Sequence, residues 1–268
     1  MLYPAELRAP VPDIAVGGPA EQARRGFLMG LGAAAALAAG GGARAAEAGL
    51  ERLAPYPVLR LSDGATARLA GLVVPSADGR VAEAAASTIR DWLAAGLLEP
   101  VTPDAARDRH GRQSSAPVRG GQTLQAGLVA GGLAIAAAEG GAEAGLLQAL
   151  LAVEVEARAA GRGWWAGGAN GPFAADAVPL AAVGRYVLVE GRIARVGKAN
   201  QFWFANYGRD LRRDFTVRVP LAAARGLAAA GVGPEGLAGR DVRVRGWLFE
   251  DNGPMIEVTH PMALELLS

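Results

Sequence analysis

Pro57-Val-Leu-Arg-Leu-Ser-Asp-Gly-Ala-Thr-Ala-Arg68-Leu-Ala-Gly-Leu-Val-Val-Pro-Ser76 is the stretch on which the fold turns. Two strand-like runs, Val58 to Leu61 and Ala65 to Leu72, flank Ser62-Asp63-Gly64-Ala65. Asp-Gly between such runs is a strong hairpin signal, because a tight turn needs residues that tolerate positive φ. The second run continues through Gly71, Val73 and Val74 to Pro75 without an acidic residue. The stretch therefore reads as a strand pair with no carboxylate along its strands.

Working outward, residues 46–168 alternate strand-like and helix-like segments. Ala82 to Ala95 predicts a helix with Ile89, Trp92 and Leu93 on one face. Leu97 to Val101 and Ser115 to Val118 predict a second strand pair around a polar loop, and Thr123 to Ala130 a short helix. Ala142 to Ala160 predicts a longer helix, with Leu146, Leu147, Leu150, Leu151 and Val155 spaced for one buried stripe and Gly161 as its stop. Residues 169–184 are rich in Ala, Gly and Pro and read as a linker. Residues 185–268 are mostly strand-like. Arg185 to Val196, Phe202 to Phe204 and Asp214 to Val219 predict three strands, and Leu221 to Ala230 a helix. Asp241 to Phe249 and Met255 to Val258 follow as two strands around an Asn252-Gly253 turn. Three strands, a helix and two strands is the order of the oligonucleotide/oligosaccharide-binding (OB) fold.

Bulk chemistry narrows the function classes. The chain has 268 residues, room for about one or two domains. It has no Cys, which excludes disulfides, thiolate catalysis and Cys-ligated zinc. His110 and His260 are the only histidines, so a histidine-rich metal site is disfavoured. Residues 46–183 carry 11 Arg and 14 Asp or Glu, a charge of −3, and residues 184–268 carry 12 Arg or Lys and 9 Asp or Glu, a charge of +3. Neither half is basic enough for a dedicated polyanion coat, which draws its affinity from neutralising phosphates.

The N-terminus reads as a targeting segment over residues 1–45. Arg24-Arg25-Gly26-Phe27-Leu28 precedes an apolar run from Met29 to Ala39, and Ala43-Arg44-Ala45 offers a small-x-small cleavage site. This is the layout of an export signal, and the paired arginines resemble the twin-arginine type. The expectation is a periplasmic protein cleaved before Ala46, or a membrane-anchored one if the segment is retained.

Four groups of residues carry a family likeness in one order. They are Arg68-Leu-Ala-Gly-Leu, Asp108-Arg-His-Gly-Arg112, Leu128-Val-Ala-Gly-Gly-Leu-Ala134, and Glu154-Val-Glu-Ala-Arg158 before Gly163-Trp164. Together they resemble the thermonuclease (staphylococcal nuclease-like) family over about residues 52–166. The resemblance implies a small five-stranded OB-type barrel decorated by helices. It also implies Ca²⁺-dependent phosphodiester cleavage, in which carboxylates hold the ion, a glutamate activates water and two arginines face the phosphate. In register, Pro57 and Val73 stand where the family has its metal-binding aspartates, and Ser76 stands where it has its general base. Arg68 and Arg112 match the two phosphate-binding arginines. Pro and Val supply no ligand, so no metal site is expected, and Ca²⁺ only if displaced acids such as Asp63, Asp78 or Glu83 substitute. Glu154 and Arg158, four apart on the long helix, read as a structural salt bridge tying that helix to the barrel.

Phe202-Trp-Phe-Ala-Asn-Tyr-Gly, Arg213-Asp-Phe-Thr, and Arg243-Val-Arg-Gly-Trp-Leu with Asn252-Gly-Pro-Met-Ile-Glu-Val-Thr-His-Pro261 resemble a small module found attached to thermonuclease-like domains. In OB folds, aromatic and basic residues on the second and third strands stack on bases. Trp203, Tyr207, Arg209, Arg212 and Arg213 are the candidates for that surface, the alternative being that the aromatics fill the core and the arginines solvate its rim. The sequence thus predicts an α+β, mainly β chain of two small OB-type barrels after an export signal. The expected function is a non-catalytic binding or scaffold protein with a protein partner or a membrane-associated complex. A phosphate or nucleic-acid ligand near Arg68 and Arg112 is a secondary expectation. The rivals are a Ca²⁺-dependent phosphodiesterase using displaced acids and a membrane-anchored structural subunit.

Overall fold

The computed structural model describes residues 49–60, 64–95, 110–139, 142–168, 170–208, 210 and 213–267. The export-type segment, the Leu97–Val101 strand, Asp63, Asp108, Arg209 and Arg212 lie outside the described residues. The described residues have α+β architecture. Among them no helix is long and apolar enough to cross a membrane.

The expected hairpin forms, with shorter strands. β1 (Gly49–Arg52) pairs antiparallel with β2 (Val58–Arg60), and β2 with β3 (Thr66–Leu69), setting Val58 opposite Arg68 and Leu59 opposite Ala67. Leu59, Ala67 and Leu69 are buried, as period-two alternation requires of one face. Gly71 then turns the chain at φ +78, where a Cβ would stand 3.0 Å from Leu150 Cδ1. β4 (Leu72–Val73) follows.

Helix α1 (Gly79–Ala94) begins three residues before the predicted start, because the Asp78 carboxylate accepts the Arg80 and Val81 N–H groups. Ile89 is fully buried on it, with Trp92 and Leu93 packed alongside. β5 (Gln113–Ser115) runs parallel to β3 and completes a four-stranded sheet, β1-β2-β3-β5. The predicted Ser115–Val118 strand is broken at Pro117, which has no N–H to donate and whose carbonyl accepts from Leu124. β6 (Val118–Arg119) and β7 (Gln122–Thr123) make a tight hairpin on Gly120 and Gly121. Thr123 caps α2 (Leu124–Ala130) through its hydroxyl, and β8 (Ile135–Ala136) returns to pair with β4.

In α3 (Ala144–Ala159) the buried line is Leu147, Leu150, Glu154 and Ala157. Val155, expected on that stripe, is 50 % exposed. The helix is rotated so that a glutamate takes the inward position, for a reason that lies in the C-terminal half.

Within residues 169–184, β9 (Phe173–Ala174) runs parallel to the first strand of that half, so the segment read as a linker carries a sheet edge. The strand predicted from Arg185 to Val196 is interrupted at Ile193 and Ala194, giving β10 (Tyr186–Arg192) and β11 (Arg195–Ala199). β12 (Phe202–Asn206), β13 (Thr216–Pro220), α4 (Leu221–Ala229), β14 (Asp241–Glu250), β15 (Pro254–Glu257) and β16 (Leu264–Leu266) follow. The sheet order is β11-β12-β13-β15-β14-β10-β9, with β16 on β14. No closed barrel is found among the described residues, so the two expected barrels are observed only as these sheets.

Three apolar clusters fill the fold. One, around Leu59, Leu69, Ile89, Leu128 and Leu150, belongs to the first half. Another, around Val189, Phe215, Val217, Val244 and Ile256, belongs to the second. The third joins the halves: Val73, Ile135, Ala157 and Trp164 pack with Tyr186 and Leu188. β14 is buried on both faces as a result. Val242, Val244 and Leu248 enter the C-terminal core, while Arg245 and Trp247 turn toward the first half.

Candidate functional site

Of the positions singled out by the family register, Arg68 lies on β3 and Val73 on β4, while Pro57 just precedes β2 and Ser76 follows β4. Pro57 is buried, and its carbonyl accepts the Leu69 N–H at 3.0 Å. Val73 is 2 % exposed, inside the apolar cluster that joins the halves. Ser76 is exposed at the rim of a cleft bounded by Val73, Trp164, Arg185, Tyr186 and Trp247. The cleft holds about 40 Å³, room for a few waters and far too little for a nucleotide. Three of its walls therefore come from β10, β14 and the chain just before β10.

Arg68 is half-buried on β3, its guanidinium carbon 4.5 Å from the centre of the Tyr56 ring. The β3–β5 register sets Arg68 opposite Ser114, and Arg112 lies in the chain just before β5, two residues earlier. The Tyr56 hydroxyl donates to the Glu139 carboxylate and accepts from Trp247 Nε1 at 3.0 Å. Trp247 Nε1 also lies 3.3 Å from Glu139 Oε2. The Trp247 ring meets Tyr56 and Tyr186 edge to face, with centroids 6.1 and 5.7 Å apart. Burial, then the bond to Glu139, pushes the Tyr56 phenol up to about 12. Complete burial pushes Tyr186 up further.

Behind this aromatic group is a buried ion pair. Arg245 Nη1 donates to both carboxylate oxygens of Glu154, at 3.0 and 3.1 Å, and to the Ala136 carbonyl at 2.9 Å. Glu154 Oε2 also accepts the Ala136 N–H at 2.8 Å. Arg158, the expected partner of Glu154, stands at a looser 3.8 Å. The predicted salt bridge exists, yet the stronger bond runs to a strand 91 residues away.

Of the acids considered as substitute ligands, Asp63 lies outside the described residues and the other two are engaged elsewhere. Asp78 caps α1, and Glu83 pairs with Arg90 at 3.3 Å on the exposed side of that helix. Among the described residues there is no group of three or more His, Cys, Asp or Glu able to hold a metal ion. His110 is exposed just before β5, and His260 accepts the Met262 N–H on Nδ1 to cap a short turn.

In the C-terminal half, Trp203 and Tyr207 are half-buried and pack against the core. Tyr207 lies 5.2 Å from Phe215, centre to centre, and its hydroxyl donates to the Val242 carbonyl at 3.3 Å. Burial pushes its phenol well above the ordinary range. Arg213 is exposed. The opposite sheet face carries Phe202 and Phe204, with the Arg218 guanidinium 4.7 Å from Phe202 and also bonded to Glu257 and Asp251.

Sequence reasoning did not single out Tyr56, Glu139, Arg245 or Trp247. One signal was present: Arg243, Arg245 and Trp247 occupy alternate positions on a strand whose other face is Val242, Val244 and Leu248. A tryptophan on an otherwise polar face marks a surface that is covered. Compared with models of known protein families the chain matches none, and a comparison with curated proteins gives no match.

Proposed function

We propose that this chain is a thermonuclease-like protein whose catalytic face has become an internal interface, leaving a non-catalytic binding or scaffold protein. The observation that carries this reading is Val73. It stands at a metal-ligand position of the family pattern and is sealed in an apolar cluster with Trp164, Tyr186 and Leu188. A hard cation needs several oxygen ligands and loses its hydration only against negative charge. A valine beneath aromatic rings offers neither.

The C-terminal half is read as an OB-type module. Support comes from its order of strands, helix and strands, and from the partly open sheets such folds tolerate. The phosphodiesterase alternative is the weaker one, since Asp78 is spent on a helix cap and Glu83 on an exposed ion pair. The function is exercised after twin-arginine-type export, through a protein partner in a membrane-associated assembly.

Calorimetric titration of the full chain with Ca²⁺ tests the loss of the metal site. No saturable heat is expected up to millimolar ion. A stoichiometric site would overturn the reading.

A further inference from the structure

The C-terminal sheet ends on β11, which has β12 on one side and no described strand on the other. It pairs with β12 without a register shift, from Arg195 opposite Asn206 to Ala199 opposite Phe202. The other edges of the two larger sheets are shorter or broken: β9 has two residues, β5 and β16 have three, and β1 carries a register shift between Leu50 and Arg52. An unpaired edge directs the N–H and C=O of every second residue outward, open to another extended chain. Four of the five β11 residues are exposed, and Val196 is half-buried. Gly197 stands opposite Phe204 and Ala199 opposite Phe202, on the sheet face away from the core. A Cβ at Gly197 would meet nothing within 4 Å. The two phenyl rings, 6.1 Å apart centre to centre, are therefore bordered on the β11 side only by a hydrogen and a methyl group. Arg195 and Lys198 give the edge its charge. Neither is ion-paired among the described residues, and Lys198 Nζ lies 5.9 Å from the centre of the Trp203 ring.

We propose that β11 is a docking edge for an extended acidic segment of a protein partner, which adds to the sheet as a further strand beside Arg195 and Lys198. Apolar side chains at alternate positions of that strand lie over Gly197 and Ala199 and reach Phe204 and Phe202. An acidic residue between them falls beside Lys198 on the other face, and one at the end of the run meets Arg195. Charge selects this occupant. A second copy of β11 brings the same two positive charges, so the edge resists self-pairing, as charged edges do. A basic segment meets the same repulsion. A nucleic acid gains only two cations here, because Arg218 beside the rings is already bonded to two carboxylates, Glu257 and Asp251. The inference rests on the protein-partner reading above and supplies that partner's chemistry. It is independent of Ca²⁺: a metal site would defeat the lost-metal account without touching β11, and a failed edge would leave Val73 sealed.

The test is fluorescence anisotropy, titrating the full chain into a short fluorescein-labelled peptide that alternates valine with glutamate and carries an extra glutamate at each end. Saturable binding is expected, and none for the matching valine–lysine peptide. Arg195→Glu/Lys198→Glu should weaken binding about tenfold, since two attractions at an exposed rim become repulsions. Arg80→Glu, at an exposed position on α1, should leave it unchanged. Arg195 and Lys198 are both exposed, so the double variant keeps the fold. Two peptides N-methylated on alternate residues separate strand addition from charge attraction alone. Methylating the set that faces β11 should abolish binding, and methylating the other set should not. Equal binding by the two methylated peptides, no binding by the parent peptide, or insensitivity to the double substitution overturns the proposal. Tighter binding of an oligothymidylate than of the acidic peptide also overturns it and assigns the edge to single-stranded nucleic acid.

Discussion

Arg245 on β14 and Glu154 on α3 form a bonded pair that is 4 % and 0 % exposed, and it is the only described ion pair buried on both sides. It joins the two halves at the point where the helix presents an acid inward. Two charges leave water here because each finds further partners: Ala136 offers its N–H to Glu154 and its carbonyl to Arg245. Removing Glu154 strands Arg245, and removing Arg245 leaves Glu154 only the looser Arg158. Arg245→Ala or Glu154→Ala should each cost about 3–5 kcal/mol in urea unfolding. The double substitution Arg245→Met/Glu154→Leu should cost less than the sum, leaving mainly the orphaned Ala136 groups, about 1–3 kcal/mol. Strict additivity would show that the pair is not coupled.

The turn after α2 and the turn after α3 cross at two glycines. Gly132 and Gly163 have φ of +66 and +52, and a Cβ on either would press into the other turn's backbone, 2.0 Å from the Arg162 carbonyl oxygen or 2.4 Å from that of Gly132. The crossing is closed by the Trp164 N–H donating to Gly132 at 2.8 Å, and it sets Trp164 against Val73. Gly132→Ala and Gly163→Ala should each lose at least about 2 kcal/mol, since left-handed strain and backbone overlap add. A loss under half that in thermal unfolding would contradict this account of the crossing.

Much of the architecture was legible from local chemistry, and the failures share one cause. The Asp-Gly hairpin, the Thr123 cap and the strand-helix-strand order of the second half follow from residues adjacent in sequence. Val155 is exposed where its spacing predicts burial, because two faces of an Ala- and Leu-rich helix look alike until Arg245 selects Glu154 for the inside. Alternation alone does not say which of Phe202-Trp203-Phe204 faces the core, which leaves the core and stacking readings of Trp203 both open in the sequence. The cover over Val73 comes from Trp164, Tyr186 and Leu188, 91 to 115 positions further along the chain, so no local pattern announces it.

Trp203 and Arg213 separate the core reading of the C-terminal module from the stacking reading. Trp203 packs on the core and Arg213 is exposed. Trp203→Ala should cost about 3 kcal/mol and Arg213→Ala under about 0.5 kcal/mol in chemical denaturation. A Trp203→Ala protein of unchanged stability would return that ring to the surface.

Alkaline titration should read the buried phenols directly. Tyr56 is raised to about 12, and Tyr186 and Tyr207 above that, from an ordinary value near 10. Folding favours the neutral phenol, so this contribution is fully present below pH 10 and is lost as pH rises toward 12 and beyond. Near-ultraviolet absorbance should show these three tyrosines ionising only together with unfolding. Reversible ionisation of Tyr56 near pH 10 in the folded protein, identified by Tyr56→Phe, would contradict the buried network.

On the proposed reading, the face bearing Val73 no longer performs phosphodiester chemistry. Its most direct test is digestion of single-stranded DNA and RNA by the purified chain, with Ca²⁺ and with chelator, beside an Arg68→Ala/Arg112→Ala control. No cleavage is expected under any of these conditions. Ca²⁺-dependent cleavage that disappears in the control would contradict it and place a working metal site beside these two arginines.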